Sequence, residues 1–136
     1  CGALAAIDPL VDDVGSEFRA ACGHKPSVIV DCAGGRLGEA VGLAGRDSKI
    51  VVAGYHANHV PVDTQQALVK ELDVIFTSWY TSAEFVHTIE AVASDRLPIE
   101  HLITHRITLD ELPAAYAALK HPNDQGKVLI DMRRHA

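Results

Sequence analysis

The chain has 136 residues, 48% of them hydrophobic and 22% charged, and its 12 Lys and Arg against 18 Asp and Glu give a formal charge of -6. This is the composition of a globular, core-forming sequence, which argues against disorder, and its sparse, scattered cations argue against a nucleic-acid partner. No apolar run approaches the roughly 18 to 20 residues that span a bilayer, and no basic stretch followed by an apolar one marks a signal peptide, so a soluble, cytoplasmic protein without membrane contact is expected.

Residues 2–9 give a short apolar run stopped by Asp8-Pro9, which reads as a strand at Ala5 to Ile7 because the residue before proline avoids the helical region. Val14, Phe18 and Ala21 then share a helix face, predicting a helix from Val11 to Cys22 that stops at Gly23. Ser27 to Ala33 is a β-branched run between Pro26 and Gly34, the pattern of a parallel strand buried on both faces. A helix from Arg36 to Ala44, a strand from Lys49 to Gly54, a helix from Thr64 to Glu71 and an apolar run at Val74 to Phe76 follow. Alternating strands and helices imply an α/β fold with a parallel sheet.

From Thr81 the texture changes. Thr81 and Glu84 have capping-box spacing ahead of a helix whose Phe85, Ile89 and Val92 share one face and which is expected to run to about Arg96. A strand over His101 to Ile107, a second capping box at Thr108 and Glu111 with Pro113 in the first helical turn, and a last strand from Lys127 to Met132 complete the chain. Cys1, Cys22 and Cys32 are an odd set without C-x-x-C spacing, so they are expected to be reduced. Cys32 reads as a small buried hydrophobe without chemistry.

The order of segments is more specific than any one of them. Val28-Ile-Val-Asp-Cys-Ala-Gly34, Lys49-Ile-Val-Val-Ala-Gly54, Thr77-Ser-Trp-Tyr80, Ile103-Thr-His-Arg-Ile-Thr-Leu-Asp-Glu111 and Gly126-Lys-Val-Leu-Ile130 together resemble the medium-chain dehydrogenase/reductase family, near its alcohol, threonine and polyol dehydrogenases. The likeness covers essentially the whole chain. It implies an incomplete Rossmann-type parallel sheet, its third to sixth strands, over residues 1–78, and a small α+β segment over residues 79–136 that returns to a catalytic domain. Members of the family are well over twice this long. They carry zinc ligands and a G-x-G-x-x-G phosphate loop ahead of the part matched here, so the resemblance implies an NAD or NADP enzyme with zinc in the parent protein only.

One segment imitates the missing loop. Ala33-Gly-Gly-Arg-Leu-Gly38 follows a strand and opens a helix, but a true fingerprint needs a carboxylate at the end of the next strand, about 20 residues on, to hold the ribose. That strand ends Val52-Ala-Gly-Tyr55. The fourth-strand reading, in which Ala33 and Gly34 let the nicotinamide ribose approach the backbone, is therefore preferred.

Parallel strands present their C-terminal ends to the ligand crevice, so Cys32, Ala33, Gly34, Ala53, Gly54, Tyr55, Ser78 and Tyr80 are candidate cofactor-binding residues by geometry as well as by resemblance. Tyr55 and Tyr80 could wall a nicotinamide pocket or pack at an interdomain surface. The resemblance adds Lys127 as a contact to the cofactor pyrophosphate, against an ordinary solvated lysine. Arg36 reads as a surface arginine. His56 with His59 and His101 with His105 lack a clustered ligand set, and no residue is assigned to catalysis or to a metal.

The expected substrate of the parent is a small alcohol or carbonyl compound, and the resemblance implies a homodimer through the outermost strand near residues 74–77. A zinc-free quinone- or enoyl-reductase-like enzyme and a non-catalytic association module remain as alternatives. With the first two strands of the sheet lying between the third and the fourth, this chain alone is expected to bind dinucleotide poorly and to be inactive.

Overall fold

The computed structural model describes residues 2–121 and 124–133, so Cys1 lies outside the described residues. The chain divides between Tyr80 and Thr81 into two units, each considered by itself.

The first unit alternates helix and strand: α1 (Val14–Cys22), β1 (Val28–Asp31), α2 (Leu37–Leu43), β2 (Lys49–Val52), α3 (Thr64–Val69) and β3 (Asp73–Phe76). Helix α1 starts three residues later than its apolar spacing suggests, because Asp13 is its N-cap and accepts the Ser16 N–H at 2.7 Å. Those hydrogen bonds hold the Asp13 carboxyl below its ordinary pKa. Gly23 ends the helix in the left-handed region at φ 78°, donating its N–H to Arg19 O at 2.8 Å.

The strands form one parallel sheet in the order β1-β2-β3, with Ile29 beside Ile50, Ile50 beside Val74, and Val52 beside Phe76. Side chains alternate between the faces of a strand, so Ile29, Ile50 and Val52 share one face. There Ile50 and Val52 meet Ala40, Val41 and Ala44, with Leu37, Val62, Ala67 and Leu72 packed around them. Lys70 fastens this layer. Its Nζ donates to Val41 O at 2.6 Å, Gly42 O at 2.9 Å and Gln66 Oε1 at 2.9 Å, tying the orphan carbonyls of α2 to α3. Burial pushes the Lys70 pKa down.

Two expectations fail here. Strand β1 is covered on one face only, since Val28 and Val30 stay 58% and 56% exposed. A β-branched run shows that a strand suits burial on both faces, whereas the cover itself must come from other elements. Residues 5–7, expected to be a strand, have irregular backbone with no strand beside them among the described residues. A lone segment has no ladder to complete, so its apolar pattern has nothing to act on.

The second unit contains α4 (Ser82–Ala93), a 3-10 turn at Glu100–Leu102, β4 (Ile103–Ile107), α5 (Leu112–Ala118) and β5 (Lys127–Ile130). The Thr81 capping box forms in full: Glu84 N–H donates to Thr81 Oγ1 at 3.2 Å and Thr81 N–H to Glu84 Oε2 at 2.6 Å. Helix α4 stops at Ser94, short of Arg96. Thr108 N–H and Oγ1 also bond Glu111, at 2.7 and 3.0 Å, but α5 begins only at Leu112. The Pro113 ring, which lacks an N–H, therefore falls in the first turn, where that donor would have no partner. Strands β4 and β5 pair in parallel, joined through α5. None of the described residues of this unit is buried, and Phe85, Val86 and Ile89 of α4 are exposed together. Among the described residues no helix is long and apolar enough to cross a membrane.

Candidate functional site

Because β1, β2 and β3 run in parallel, their C-terminal ends open on the same edge of the sheet. Six of the expected cofactor residues meet there, in two turns. Cys32, Ala33 and Gly34 leave β1; Ala53, Gly54 and Tyr55 leave β2. The turns are joined through Asp31, whose carbonyl accepts the N–H groups of both Ala53 and Gly54 at 2.9 Å.

The two glycines explain how closely the turns approach. Gly34 has φ 78°, and a Cβ on it would land on the Gly54 carbonyl, while a Cβ on Gly54 would land on the backbone of Cys32, Ala33 and Gly34. The space that Gly34 leaves is therefore filled by the neighbouring turn. Only glycine at both positions allows this crossing without displacing main chain.

Asp31 is the residue that sequence reasoning missed as part of the site. It is 7% exposed, and its carboxylate accepts Ala33 N–H at 3.0 Å and Gly34 N–H at 2.8 Å through Oδ1, and Arg36 N–H at 3.3 Å through Oδ2. A buried carboxylate without donors would cost on the order of several kcal/mol, and these three amides supply them. The signal was present in the sequence: a short acceptor side chain at a strand end, followed by Ala-Gly-Gly, is the pattern of a side chain bonding the backbone two and three residues on. The same bonds answer the phosphate-loop question. The amides of Ala33, Gly34 and Arg36, which a pyrophosphate would need, already bond Asp31.

The remaining candidates are placed as follows. Tyr55 is 89% exposed at the mouth of the β2 turn. Ser78 and Tyr80 follow β3, whose pairing continues one step as Thr77 N–H donates to Val52 O at 3.0 Å. Lys127 opens β5 in the second unit. Cys32 is exposed, contrary to its expected burial, because it keeps the parity of Val28 and Val30, which lie on the uncovered face of β1. Arg36 is held by Glu39, with 2.8 Å from Nε and 2.7 Å from a terminal guanidinium nitrogen to Oε2, and this contact raises its pKa. His101 lies in the 3-10 turn and His105 in β4, where Nδ1 lies 2.9 Å from Thr104 Oγ1. Among the described residues no three His, Cys, Asp or Glu side chains gather as metal ligands.

A groove of about 390 Å³ runs beside the free edge of β1, lined by Val14, Val30, Cys32, Ala33, Ala40 and Leu43 among others. Its lining is mostly apolar, with the Asp31 carboxylate turned to the loop amides at one end.

No protein-family model matches the chain. Over 90 residues, 65% of the chain, it is 31% identical to 2-dehydro-3-deoxy-L-galactonate 5-dehydrogenase of Pseudoalteromonas atlantica, and it covers 26% of that protein. Among solved structures, an alcohol dehydrogenase of E. coli CFT073 in complex with NADH is 28% identical and matches 96% of the chain and 39% of its own, with a TM-score of 0.82. A protein described as a zinc-binding dehydrogenase of Sinorhizobium meliloti 1021, bound to NADP, is 26% identical over 95% of the chain and 39% of its own, with a TM-score of 0.78. The chain thus spans between about a quarter and two fifths of the length of these proteins. The ordered strand ends, the parallel sheet and these likenesses all support the medium-chain dehydrogenase/reductase resemblance read in the sequence.

Proposed function

We propose that the chain is part of a zinc-dependent alcohol or polyol dehydrogenase that uses NAD or NADP, and that the turns leaving β1 and β2 form one wall of its nicotinamide site. The observation that carries this reading is the meeting of the turns after β1 and β2 at the C-terminal edge of the parallel sheet, the edge at which such sheets take their ligands. When bound, the nicotinamide supplies hydride acceptance and donation.

In this reading the chain's own residues bind and orient. Cys32, Ala33 and Gly34 face the ribose, the Ala53 and Gly54 backbone faces the ring side, and Tyr55 closes the mouth and excludes water. Ser78 and Tyr80 extend the wall from β3, and Lys127 is read, by the resemblance, as a point charge for the pyrophosphate. Zinc is read, by the resemblance, as held by residues of the parent protein outside this chain.

Residues 1–78 are read as the C-terminal part of a Rossmann domain and residues 79–136 as the return to a catalytic domain, supported by the lack of any buried residue among the described residues of the second unit. Homodimerisation through β3 is supported by the exposure of Ile75 and Phe76 at the sheet edge. Cytoplasmic location is supported by the free thiols of Cys22 and Cys32. The testing experiment is turnover by the full-length protein: reduction of NAD or NADP with a panel of secondary alcohols and polyols, before and after removal of metal by a chelator. Activity that falls with the metal and returns with zinc is expected. Undiminished reduction of quinones or enoyl substrates by metal-free protein would contradict the zinc-dependent reading.

A further inference from the structure

The turns after β1 and β2 both hang on one residue that has no assigned role, the first on its side chain and the second on its main-chain carbonyl. The Asp31 carboxylate is buried, and it fixes the turn after β1 by three bonds, to the amides of Ala33, Gly34 and Arg36. Its carbonyl fixes the turn after β2 by two more, to Ala53 and Gly54. The glycine crossing leaves no slack between those turns, so a displacement of one is passed to the other.

We propose that Asp31 is a positioning residue of the nicotinamide site, holding the turns of residues 32–36 and 53–55 in the single relative arrangement in which both face the nicotinamide half of a dinucleotide. The proposal rests on the nicotinamide reading above and adds to it a residue that acts through the backbone of others. It separates two effects. Loosening the turns weakens contacts to the nicotinamide and its ribose, and leaves the adenine half of the cofactor, which is bound elsewhere, as it was.

The test is made in the full-length protein with NADH, NADPH and ADP as probes, for the wild type, Asp31→Ala and Asp31→Asn. Asp31→Ala is expected to weaken the preferred reduced dinucleotide by about tenfold or more and ADP by less than about twofold. Asp31→Asn keeps one acceptor oxygen for Ala33 and Gly34, so its loss is expected to be the smaller, about threefold. Equal weakening of dinucleotide and ADP, or dinucleotide affinity within about twofold of wild type in both variants, overturns the proposal. Absence of NADH and NADPH binding by the wild type overturns instead the reading of the site, and with it the ligand assigned to these turns. The hold of Asp31 on the turns is read independently in the 136-residue chain by amide exchange. A Gly34 amide protected in the wild type and released in Asp31→Ala is expected, with the Gly54 amide, whose acceptor is the Asp31 main-chain carbonyl, following only through the crossed turns; unchanged Gly34 protection overturns it.

Discussion

Two glycines with the same unusual φ separate backbone strain from steric crowding. Gly23 and Gly34 both sit at φ 78°, but a Cβ at Gly23 meets nothing within 4 Å whereas one at Gly34 meets main chain. Gly23→Ala is therefore expected to cost only the left-handed penalty of about 1 kcal/mol, and Gly34→Ala roughly 2 kcal/mol or more beyond that, as measured by urea unfolding of the chain. Equal costs would mean that the turns are not crossed as described. Cys32 gives a second handle. It is exposed where Cys22 is half-buried, so in a Cys1→Ser background a soluble thiol reagent is expected to modify Cys32 first, and saturating cofactor to slow that reaction in the full-length protein. At this scale the sequence showed which residues end the strands, since glycine, proline and β-branched runs act locally. It did not show that Cys32 is outside or that Asp31 is inside, because strand alternation sets which residues share a face and other elements decide which face is covered.

Elements with local causes were legible. The Thr81 and Glu84 pair announces α4, and the capping box is present bond for bond. The Thr81 N–H held by the Glu84 carboxylate lowers its pKa below the ordinary 4.5. The folded state thus favours the ionised form, a contribution fully present above pH 4.5 and lost as pH falls through the lower folded-state value. Helical ellipticity of the chain is expected to fall on acidification in that window, and less so in Glu84→Gln, which lacks the titrating group. Thr81→Ala is expected to destabilise α4 by about 1 kcal/mol, seen as helicity lost at neutral pH. Elements with non-local causes were not legible: the strand expected at residues 5–7 lacks a partner, and the cover expected over Val28 and Val30 is not formed. The lysine clamp from α3 to α2 also escaped the sequence, since Lys70 and Val41 are 29 residues apart. Lys70→Met, which keeps the stem and removes the charge, is expected to cost roughly 1–2 kcal/mol in urea unfolding, because the α2 carbonyls lose a charged donor.

The whole molecule exposes more surface than it should. Its accessible area is 10705 Å², whereas two separate compact units of these sizes would expose roughly 8,300 Å² together. That surface includes large apolar side chains where the proposed function places further protein: Val28 and Val30 of the first sheet, Ile75 and Phe76 at the β3 edge, and Phe85, Val86 and Ile89 of α4. A site built this way has one wall in the chain and the others elsewhere. The direct measurement is a fluorescence titration of NADH and NADPH against the 136-residue chain and the full-length protein side by side. Saturable binding by the full-length protein, with none by the chain up to about 1 mM, is the predicted result. Tight, saturable binding by the chain alone would contradict the account, because the turns at Gly34 and Gly54 would then be a complete site and not one wall of it.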